Sequence, residues 1–310
     1  MTCLIGIDVG GTKIAAGLVT LPAGEVLARR LQPTLPERGG EAVLADVIAL
    51  ARSLQDDSIR LNTPACGIGF GVAELVSPAG VILDQATIRW VDLPVSARIE
   101  SQTSLPATIE ADVRAAARGE AELGAGRGLP SFLYVTVGTG ISACLILDGS
   151  PYSGARGLAG SFASSRTLIA ADSGELVAGP PLERFAGGPA LASRLAALLP
   201  KFTGAAADVL ALAAAGDDAA ISVVDSASGA LGAAIAHLVN VLDPQAIVIG
   251  GGLGLAGGRY RSSLERALRS HIYSDHHRDV PLFDAVLGAD AGWIGAALAA
   301  YRSLKGNHER

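Results

Sequence analysis

The segment DVGGTK (8–13) joins an acidic residue to a glycine turn, directly after the apolar run CLIGIDV. Glycines in a hairpin turn let backbone N–H groups approach an anion closely, and the hydroxyl and ammonium groups that follow add polar contacts. Asp8, at the strand end, is placed to organise a hydrated Mg²⁺ ion. An ordinary hairpin turn is the alternative interpretation. The predicted phosphate-binding residues are Gly10, Gly11, Thr12 and Lys13.

Two further glycine turns follow apolar runs later in the chain, GTG at 138–140 and GGGLG at 250–254. Each turn is common when it is taken alone. Three such turns in sequence indicate a nucleotide site more strongly than one does. The second would bind the same triphosphate as the first, and the third is suited to form a surface against which adenosine lies. The predicted contacts in these turns are Gly138, Thr139, Gly140, Gly250, Gly251 and Gly252.

A second carboxylate, Asp112, lies near the start of the segment ADVRAAARGEAEL (111–123). A short predicted strand delivers it to an alanine-rich helix, where the helix dipole and free N–H groups stabilise a carboxylate. One interpretation is a helix N-cap worth ~1 kcal/mol. The other, compatible with the first, is a general base that accepts the proton of a substrate hydroxyl in phosphoryl transfer, where positioning and electrostatics do most of the catalysis.

The glycine turns and the two aspartates can act together only if a β-sheet brings the strand ends that carry them close to one another. The chain begins with a predicted strand, turn and strand, followed by a third strand (EVLARRLQPT), a helix (GEAVLADVIALARSL) and a fourth strand (PACGIGFGV). From Phe132 the strand, glycine turn and strand recur, and helices with a 3.6-residue period continue to Leu242. The repetition predicts an α/β protein of two duplicated domains that face each other across a cleft.

Composition narrows the class of function. Half of the 310 residues are hydrophobic, 17% are charged, and the net charge is -6 without any basic run, so no nucleic-acid partner is expected. Apolar runs such as AIVIGGGLGLAGG are too short or too rich in glycine to cross a bilayer, so no membrane partner is expected. The N-terminus lacks the basic start of a signal peptide, and a cytoplasmic protein is predicted.

The cysteines and histidines do not form a recognisable metal motif. Cys3, Cys66 and Cys144 are scattered within apolar runs and are predicted to be buried side chains without a disulfide or metal role. Adjacent histidines in DHHRD (275–279) point in different directions, so this segment is predicted to be a solvated loop.

Five segments follow one another along the chain: IGIDVGGTKIAAGLV, EADVRAAARGE, VTVGTGISACLILDG, LVNVLDPQAIVIGGGL and GADAGWIGAALAA. Together, from Ile5 to about Ala300, they resemble the ROK family of sugar kinases and related repressors, within the actin/hexokinase-like (ribonuclease H-like) ATPase superfamily. The resemblance implies a kinase that uses ATP and Mg²⁺, acts on a small sugar-like acceptor with Asp112 as base, and forms a homodimer. The implied domains are 1–112 with 291–310, and 113–290. Because the first strand begins almost at Met1, the DNA-binding segment that precedes this domain in the repressors is not expected.

The acceptor side departs from the family pattern. Ala111 stands where the family usually has Asn before the catalytic Asp, and Arg114 stands at the second Asn of that motif. The segment GARGLAGSFASS (154–165) is predicted to form a loop and helix start that line the acceptor pocket. Within it, Ser161 and Ser164 replace the Glu and His that usually hold sugar hydroxyls.

One acidic contact of the family pattern remains, since Glu183 in PLERF matches a residue that often contacts the sugar. The nearby segment LVAGPPLERFAGG lacks the family's usual cysteine cluster, so zinc is not expected. Hydrogen bonds to charged groups contribute roughly 1.5–3 kcal/mol each, and neutral ones about 0.5–1.5 kcal/mol. Ala111, Ser161 and Ser164, in place of Asn, Glu and His, are therefore expected to reduce the free energy of hexose binding by several kcal/mol. They also leave a larger and less polar pocket.

Three hypotheses follow. The favoured one is an active kinase for an atypical acceptor, namely an unusual, amino or deoxy sugar or a cyclitol. The second is an ordinary, glucokinase-like hexose kinase with compensating ligands such as Arg114, Glu74 or Asp84. The third is a non-catalytic sensor that binds nucleotide or a small ligand and regulates a partner. The third is disfavoured because Asp112 and all the glycine turns are retained.

Overall fold

The structure is a computed structural model that describes residues 1–90, 92–170 and 173–308. Backbone contacts divide the chain into two compact units, one of Met1–Gly128, Ile146–Ala159 and Val286–Arg310, the other of Leu129–Leu145 and Gly160–Ala285. This grouping places 113–128 in the first unit, whereas the sequence-based bounds assign those residues to the second domain. The domain bounds themselves stay a prediction.

The first unit contains a five-stranded sheet in the order β3, β2, β1, β4, β5. The β1–β2 and β2–β3 pairs are antiparallel, and β4 lies parallel to β1 and to β5. Up to residue 123 its elements are β1 (Thr2–Val9), β2 (Lys13–Leu21), β3 (Glu25–Pro33), α1 (Gly40–Arg60), β4 (Ala65–Val72), α2 (Val95–Thr103), β5 (Ala107–Ala111) and α3 (Asp112–Leu123). The predicted hairpin around the first glycine turn is confirmed.

The second sheet has the order β12, β11, β6, β7, β8, of which β8 and the end of β7 fall in the first unit by contacts. The elements are β6 (Ser131–Val137), β7 (Ile141–Leu147), β8 (Ser150–Pro151), β9 (Arg166–Ala170), β10 (Leu176–Pro181), α4 (Glu183–Ala186), α5 (Gly188–Leu198), α6 (Ala206–Ala214), α7 (Asp218–Leu242), β11 (Ile247–Gly250), α8 (Gly258–His271), α9 (Asp275–Arg278) and β12 (Leu282–Asp284). The chain then returns to the first unit as α10 (Ala291–His308). The predicted α/β class is confirmed.

Both faces of strand β1 are covered, as the alternation of side chains along a strand requires. Ile5 and Ile7 pack in a cluster with residues of α1, whereas Leu4 packs in a cluster with residues of α10. Helix α10 approaches the sheet very closely, because a Cβ atom added at Gly6 would lie 1.9 Å from the carbonyl oxygen of Trp293. The glycine in IGIDV therefore lets α10 reach the sheet.

Three details differ from the sequence predictions. Residues 275–278 form the short helix α9 instead of a loop. The segment 154–165 consists of turns that lead into β9 and contains no helix start. Cys66, the second residue of β4, is exposed, whereas Cys3 and Cys144 are buried as expected.

Helix α7 bears on the expectation that the protein has no membrane partner. Within the described ranges it is the one helix whose length and apolar composition would suffice. Its apolar side chains, among them Val224, Leu231 and Ile235, belong to the core of the second unit. The core helix of a folded unit passes the same test of length and composition, so the finding is weak support for a membrane span.

Glu120 near the end of α3 is a fully buried carboxylate that fixes backbone in the first unit. Its Oε2 accepts hydrogen bonds from the N–H groups of Ala125 (2.8 Å) and Val286 (3.2 Å), and its Oε1 accepts one from Leu287 (2.9 Å). Val286 is where the chain re-enters this unit. The buried carboxylate thus accepts three backbone N–H groups and ties the end of α3 to the segment where the chain re-enters the unit.

We expect Glu120→Gln to lower the free energy of unfolding by about 2 kcal/mol, because an amide removes the charge and turns an NH₂ group toward an N–H donor. A loss of this size corresponds to roughly 4–8 °C in the midpoint of thermal unfolding. The matched control is Glu41→Gln, which removes only an exposed ion pair with Arg98 and is expected to shift the midpoint by about 2 °C or less. Equal midpoints for the two variants would contradict the role of Glu120.

Candidate active site

Asp8 is the carboxylate around which the first glycine turn is built. It lies one residue before the end of β1, in register with Ala15 on β2 and with Gly71 on β4. Its Oδ1 atom is buried and has no hydrogen-bond partner in the described part of the chain. Burial, with the charge of Asp112 as a smaller contribution, raises the pKa of Asp8 to about 7, and Lys13 opposes the shift.

Gly292 of α10 makes room for that carboxylate. A Cβ atom at residue 292 would lie 2.3 Å from Oδ2 of Asp8, closer than any side chain could approach. The sequence reasoning did not single out this residue, although it lies within the motif GADAGWIG. The only available signal was a glycine near the start of a helix, which by itself has many explanations.

The first glycine turn is held by its own backbone and by the chain after β3. The N–H of Gly10 donates to the carbonyl of Lys13 (3.0 Å), and the hydroxyl of Thr34 donates to the carbonyl of Gly10 (2.6 Å). The side chains of Thr12 and Lys13 are exposed. A Cβ atom at Gly11 would lie 2.8 Å from the methyl group of Thr87, so a close approach explains this glycine.

Asp112 is the first residue of α3, and Ala111 holds the N-cap position. The interpretation of Asp112 as the N-cap residue is therefore wrong by one position, although its Oδ1 accepts a hydrogen bond from the N–H of Val113 (2.6 Å). Burial raises the pKa of Asp112 to about 6, and the Val113 hydrogen bond and the charge of Arg114 oppose that shift. The first unit thus brings two carboxylates with raised pKa values close enough to interact.

The raised pKa values predict that these carboxylates destabilise the folded chain above neutrality. The pKa of Asp8 is about 7 when folded against 3.8 for a free side chain, so the folded state retains a proton that the unfolded state has lost. Stability contributed by the protonated form is lost as the pH rises from about 4 to about 7. We expect Asp8→Asn to raise the midpoint of thermal unfolding at about pH 8, with the gain shrinking toward about pH 4.

Asp112→Asn should behave in the same way, with the gain complete near pH 6 because the pKa of Asp112 is about 6. Asp148→Asn is the matched control, since Asp148 is exposed and its positive φ of 51° suits Asn equally well. This variant should leave the midpoint unchanged at every pH. A uniform, pH-independent shift in Asp8→Asn would show that the carboxylate is not the cause.

Arg114 follows Asp112 by two residues, and each of its three side-chain nitrogens donates a hydrogen bond within the first unit. It is 4% exposed, and its Nε donates to Oε1 of Glu110 (2.6 Å). Its two terminal nitrogens donate to the carbonyl oxygens of Gly157 (3.0 Å) and Val76 (2.7 Å). The guanidinium therefore ties the first turn of α3 to two loops of the same unit, one of which begins the segment GARGLAGSFASS.

The other two compensating ligands are also engaged. Both carboxylate oxygens of Glu74 accept backbone N–H groups, from Ala86 (2.9 Å), Thr87 (2.8 Å) and Ile88 (2.7 Å). Oδ1 of Asp84 accepts the N–H of Leu75 (2.9 Å). These contacts shape the loop between β4 and α2, so the geometry gives each of these side chains a structural partner in place of a sugar hydroxyl.

We expect Arg114→Lys to lower the free energy of unfolding by roughly 3 kcal/mol, because an ammonium group cannot reach three separated acceptors as the planar guanidinium does. Hydrogen exchange should rise at 74–77 and at 154–158. Arg118→Lys is the matched control, because Arg118 approaches the same Glu110 carboxylate at 3.8 Å and makes no hydrogen bond to either loop within the described ranges. Unchanged exchange at both loops in Arg114→Lys would contradict the assignment.

In the second unit the other two glycine turns lie side by side. The carbonyl of Val137, at the end of β6, accepts the N–H groups of Leu253 and Gly254, both at 3.0 Å. Gly251 has a φ of 81°, and a Cβ atom there would lie 2.4 Å from that carbonyl oxygen, so a glycine is required. At Gly250 a Cβ atom would lie 2.5 Å from the hydroxyl of Tyr134. The structure thus brings the predicted triphosphate and adenosine turns together.

A cavity of 620 Å³ opens beside these turns, within the second unit. Gly138 and Thr139 form one side, and Gly252 forms another. The N–H of Gly188 at the start of α5 donates to the carbonyl of Gly138 (2.8 Å) and fixes that side. Helices α5 and α6 complete the wall with small apolar residues, which sequence reasoning missed because alanines carry no chemical signature.

Glu183 and the two serines also lie in the second unit. Glu183 opens α4, and its Oε2 would lie 3.2 Å from a Cβ atom on Gly140, beside the GTG turn. Its N–H donates to the carbonyl of Ala163 (3.1 Å), which joins α4 to the turn that carries Ser161 and Ser164. Both serine residues are exposed. Their predicted contact with an acceptor stays a prediction.

Asp8 fits the role of an outer ligand for a hydrated Mg²⁺ ion. Its buried oxygen without a partner is the kind of hard donor that Mg²⁺ accepts through one or two carboxylates and substrate phosphates. No group of three or more His, Cys, Asp or Glu side chains is placed to hold a metal among residues 1–90, 92–170 and 173–308. The expected lack of zinc stays a prediction.

The two units, each with a glycine turn at a strand end, define a two-domain α/β protein of the actin/hexokinase-like fold. The sequence profile of the ROK family matches residues 4–302. This chain belongs to the ROK family.

Three comparisons illustrate the relationship. A glucokinase of Halalkalibacterium halodurans is 31% identical over 307 residues, which cover 94% of this chain and 92% of that protein. The crystal structure of a ROK hexokinase from Thermus thermophilus is 32% identical and has a TM-score of 0.81, with 98% of this chain and 100% of that chain covered. A ROK glucokinase from Streptomyces griseus, solved with glucose and AMPPNP, is 27% identical and has a TM-score of 0.79, with 97% and 99% covered.

Proposed function

We propose that this protein is a carbohydrate kinase that transfers the γ-phosphoryl group of ATP to a hydroxyl of a sugar or sugar-like acceptor. The observation that carries the proposal is the partly buried Asp112 at the start of α3, with a pKa of about 6 and the charge of Asp8 nearby. Solved relatives titled hexokinase, and glucokinase with AMPPNP, support ATP and a sugar as the substrate classes. A homodimer without nucleic-acid or membrane partners, in the cytoplasm, remains our expectation.

In this mechanism Asp112 accepts the proton of the attacking hydroxyl. The carboxylate must be ionised to do so, and its raised pKa makes it a stronger base than a solvated Asp. Asp8 holds the water shell of Mg²⁺, which when bound neutralises charge on the phosphates. The glycine turns orient the triphosphate through backbone N–H groups, and exposed Lys13 adds a positive charge at the first of them.

For the acceptor we favour an atypical sugar or a cyclitol over plain glucose. Ala111 offers no polar side-chain group, and Ser161 and Ser164 offer neutral hydroxyls where the family pattern has a carboxylate and an imidazole. Each side-chain nitrogen of Arg114 already donates to Glu110 or to one of two carbonyls. A pocket with fewer charged contacts suits an acceptor with fewer hydroxyls or with a substituent that fills the space.

Two other functions have specific support. An ordinary hexose kinase is supported by the relative titled glucokinase, and it would require sugar contacts other than Arg114 and Glu74, whose polar atoms are engaged. A non-catalytic regulator that binds nucleotide or a small ligand is supported only by the altered acceptor residues. The retention of Asp112 disfavours it, because an unused, partly buried carboxylate with a raised pKa only destabilises the fold.

The decisive experiment measures ADP release and product mass with glucose, N-acetylated amino sugars, deoxy sugars and cyclitols, each with MgATP. We expect turnover with at least one acceptor other than glucose, and a loss of about 10³-fold or more in kcat for Asp112→Asn. The kcat/KM value should fall as the pH drops through about 7 to 6, because both carboxylates must be ionised.

Asp148→Asn is again the matched control, and it should retain wild-type kcat. Brisk phosphorylation of glucose, at a kcat/KM above that of every other acceptor, would select the ordinary hexose kinase. Binding of ATP without turnover on any acceptor would select the regulator. Full activity of Asp112→Asn would identify a different base.

A further inference from the structure

The 620 Å³ cavity of the second unit has an unusual lining for a site that would hold a nucleobase. Of its twelve lining residues, three are glycine, five alanine, two leucine and one proline. The remaining residue is Thr139, which belongs to the GTG turn where the phosphates are predicted to lie. The side chains of this lining therefore carry no charge, no amide and no hydroxyl away from that turn.

We propose that this cavity takes the base of any purine nucleoside triphosphate, so that the enzyme uses GTP and ITP as phosphoryl donors alongside ATP. This inference rests on the proposed function, because it concerns the donor of the same phosphoryl transfer. The position of the cavity supports a nucleoside as occupant, since Gly138 and Thr139 of the second glycine turn and Gly252 of the third line it directly.

Adenine, hypoxanthine and guanine differ at the edge that carries N1 and the substituents at C2 and C6. A protein selects among them by placing complementary donors and acceptors against that edge, because a mismatched base then leaves a buried polar group unpaired. Ala192, Ala206 and Leu210 have no such groups. A wrong base consequently leaves no protein side chain unsatisfied, and recognition depends on shape and apolar contact.

The backbone N–H groups at the start of α6 do not distinguish one purine from another. Ala206 and Ala207 lie in the first turn of α6, where N–H groups have no intrahelical acceptor, while the N–H of Ala205 donates to Asp208 (2.7 Å). Free N–H donors suit the ring nitrogens N3 and N7, which all purines share. The backbone therefore favours purines as a class, and a pyrimidine, being smaller, would leave part of the cavity unfilled.

Recognition by shape and apolar contact sets how strongly the cavity can discriminate among purine nucleotides. Apolar pockets discriminate between ligands of similar shape by about 10–200-fold, whereas sites that hydrogen-bond the distinguishing group reach 10⁴–10⁵-fold. We expect the dissociation constants of ATP, ITP and GTP to lie within about tenfold of one another, near the lower limit of the first range. CTP and UTP should bind more weakly than all three purine nucleotides.

The test is calorimetric binding of the magnesium complexes of ATP, ITP, GTP and CTP to the full chain without acceptor. Tight ATP binding with a loss of about 100-fold or more for both GTP and ITP would overturn the inference and leave the proposed function intact. Absence of binding by every nucleotide would overturn both. Turnover with each nucleotide at a saturating acceptor then gives kcat, which should be similar for the three purine donors because the transferred group is the same.

Gly252→Leu tests whether the base occupies this cavity. Gly252 lines the cavity and has open space around the position of a Cβ atom, so a leucine there would fill part of it. We expect all purine nucleotides to bind at least tenfold more weakly, by a common factor. The matched control is Gly229→Leu on α7, which also has open space at its Cβ position and should bind nucleotides like the wild type. Equal affinities for the two variants would place the base elsewhere.

Discussion

The site in the first unit depends on the desolvation of two neighbouring aspartates, Asp8 and Asp112, which raises the pKa of both. Asp8 has a buried oxygen without a partner, and Asp112 lies close enough to raise the pKa of Asp8 further. Such a pair is tolerated only where the surrounding backbone leaves room, which Gly292 provides beside Asp8. An arriving cation would relieve the repulsion and release the protons, so ionisation and metal binding are coupled at this position.

The sequence predicted those parts of the protein whose chemistry is local. Glycine turns, the strand that ends at Ala111 and the helix that begins at Asp112 were all readable, because each depends on neighbours along the chain. The hydrogen-bond partners of Arg114 could not be predicted from the sequence, because Val76 and Gly157 are 38 and 43 residues away along the chain. A charged residue at a family ligand position looked like a candidate ligand until its donors were located.

The cavity of the second unit escaped prediction for a different reason. Its wall combines a turn near residue 138 with helices α5 and α6 and with the turn at 250–254, and small side chains are its only shared property. Alanine and glycine at helical spacing also describe any well-packed helix pair. Periodicity therefore predicted the helices correctly. It could not predict which faces of α5 and α6 would line a cavity.

The contacts of Arg114 bear on how readily this position can accept a different residue. Its guanidinium donates to three separate acceptors, so a single change to a shorter side chain would remove a donor from Glu110 and from two carbonyl oxygens at once. Another residue here would be tolerated better if the two loops and Glu110 changed with it. The effect of a substitution at this position is thus subject to epistasis.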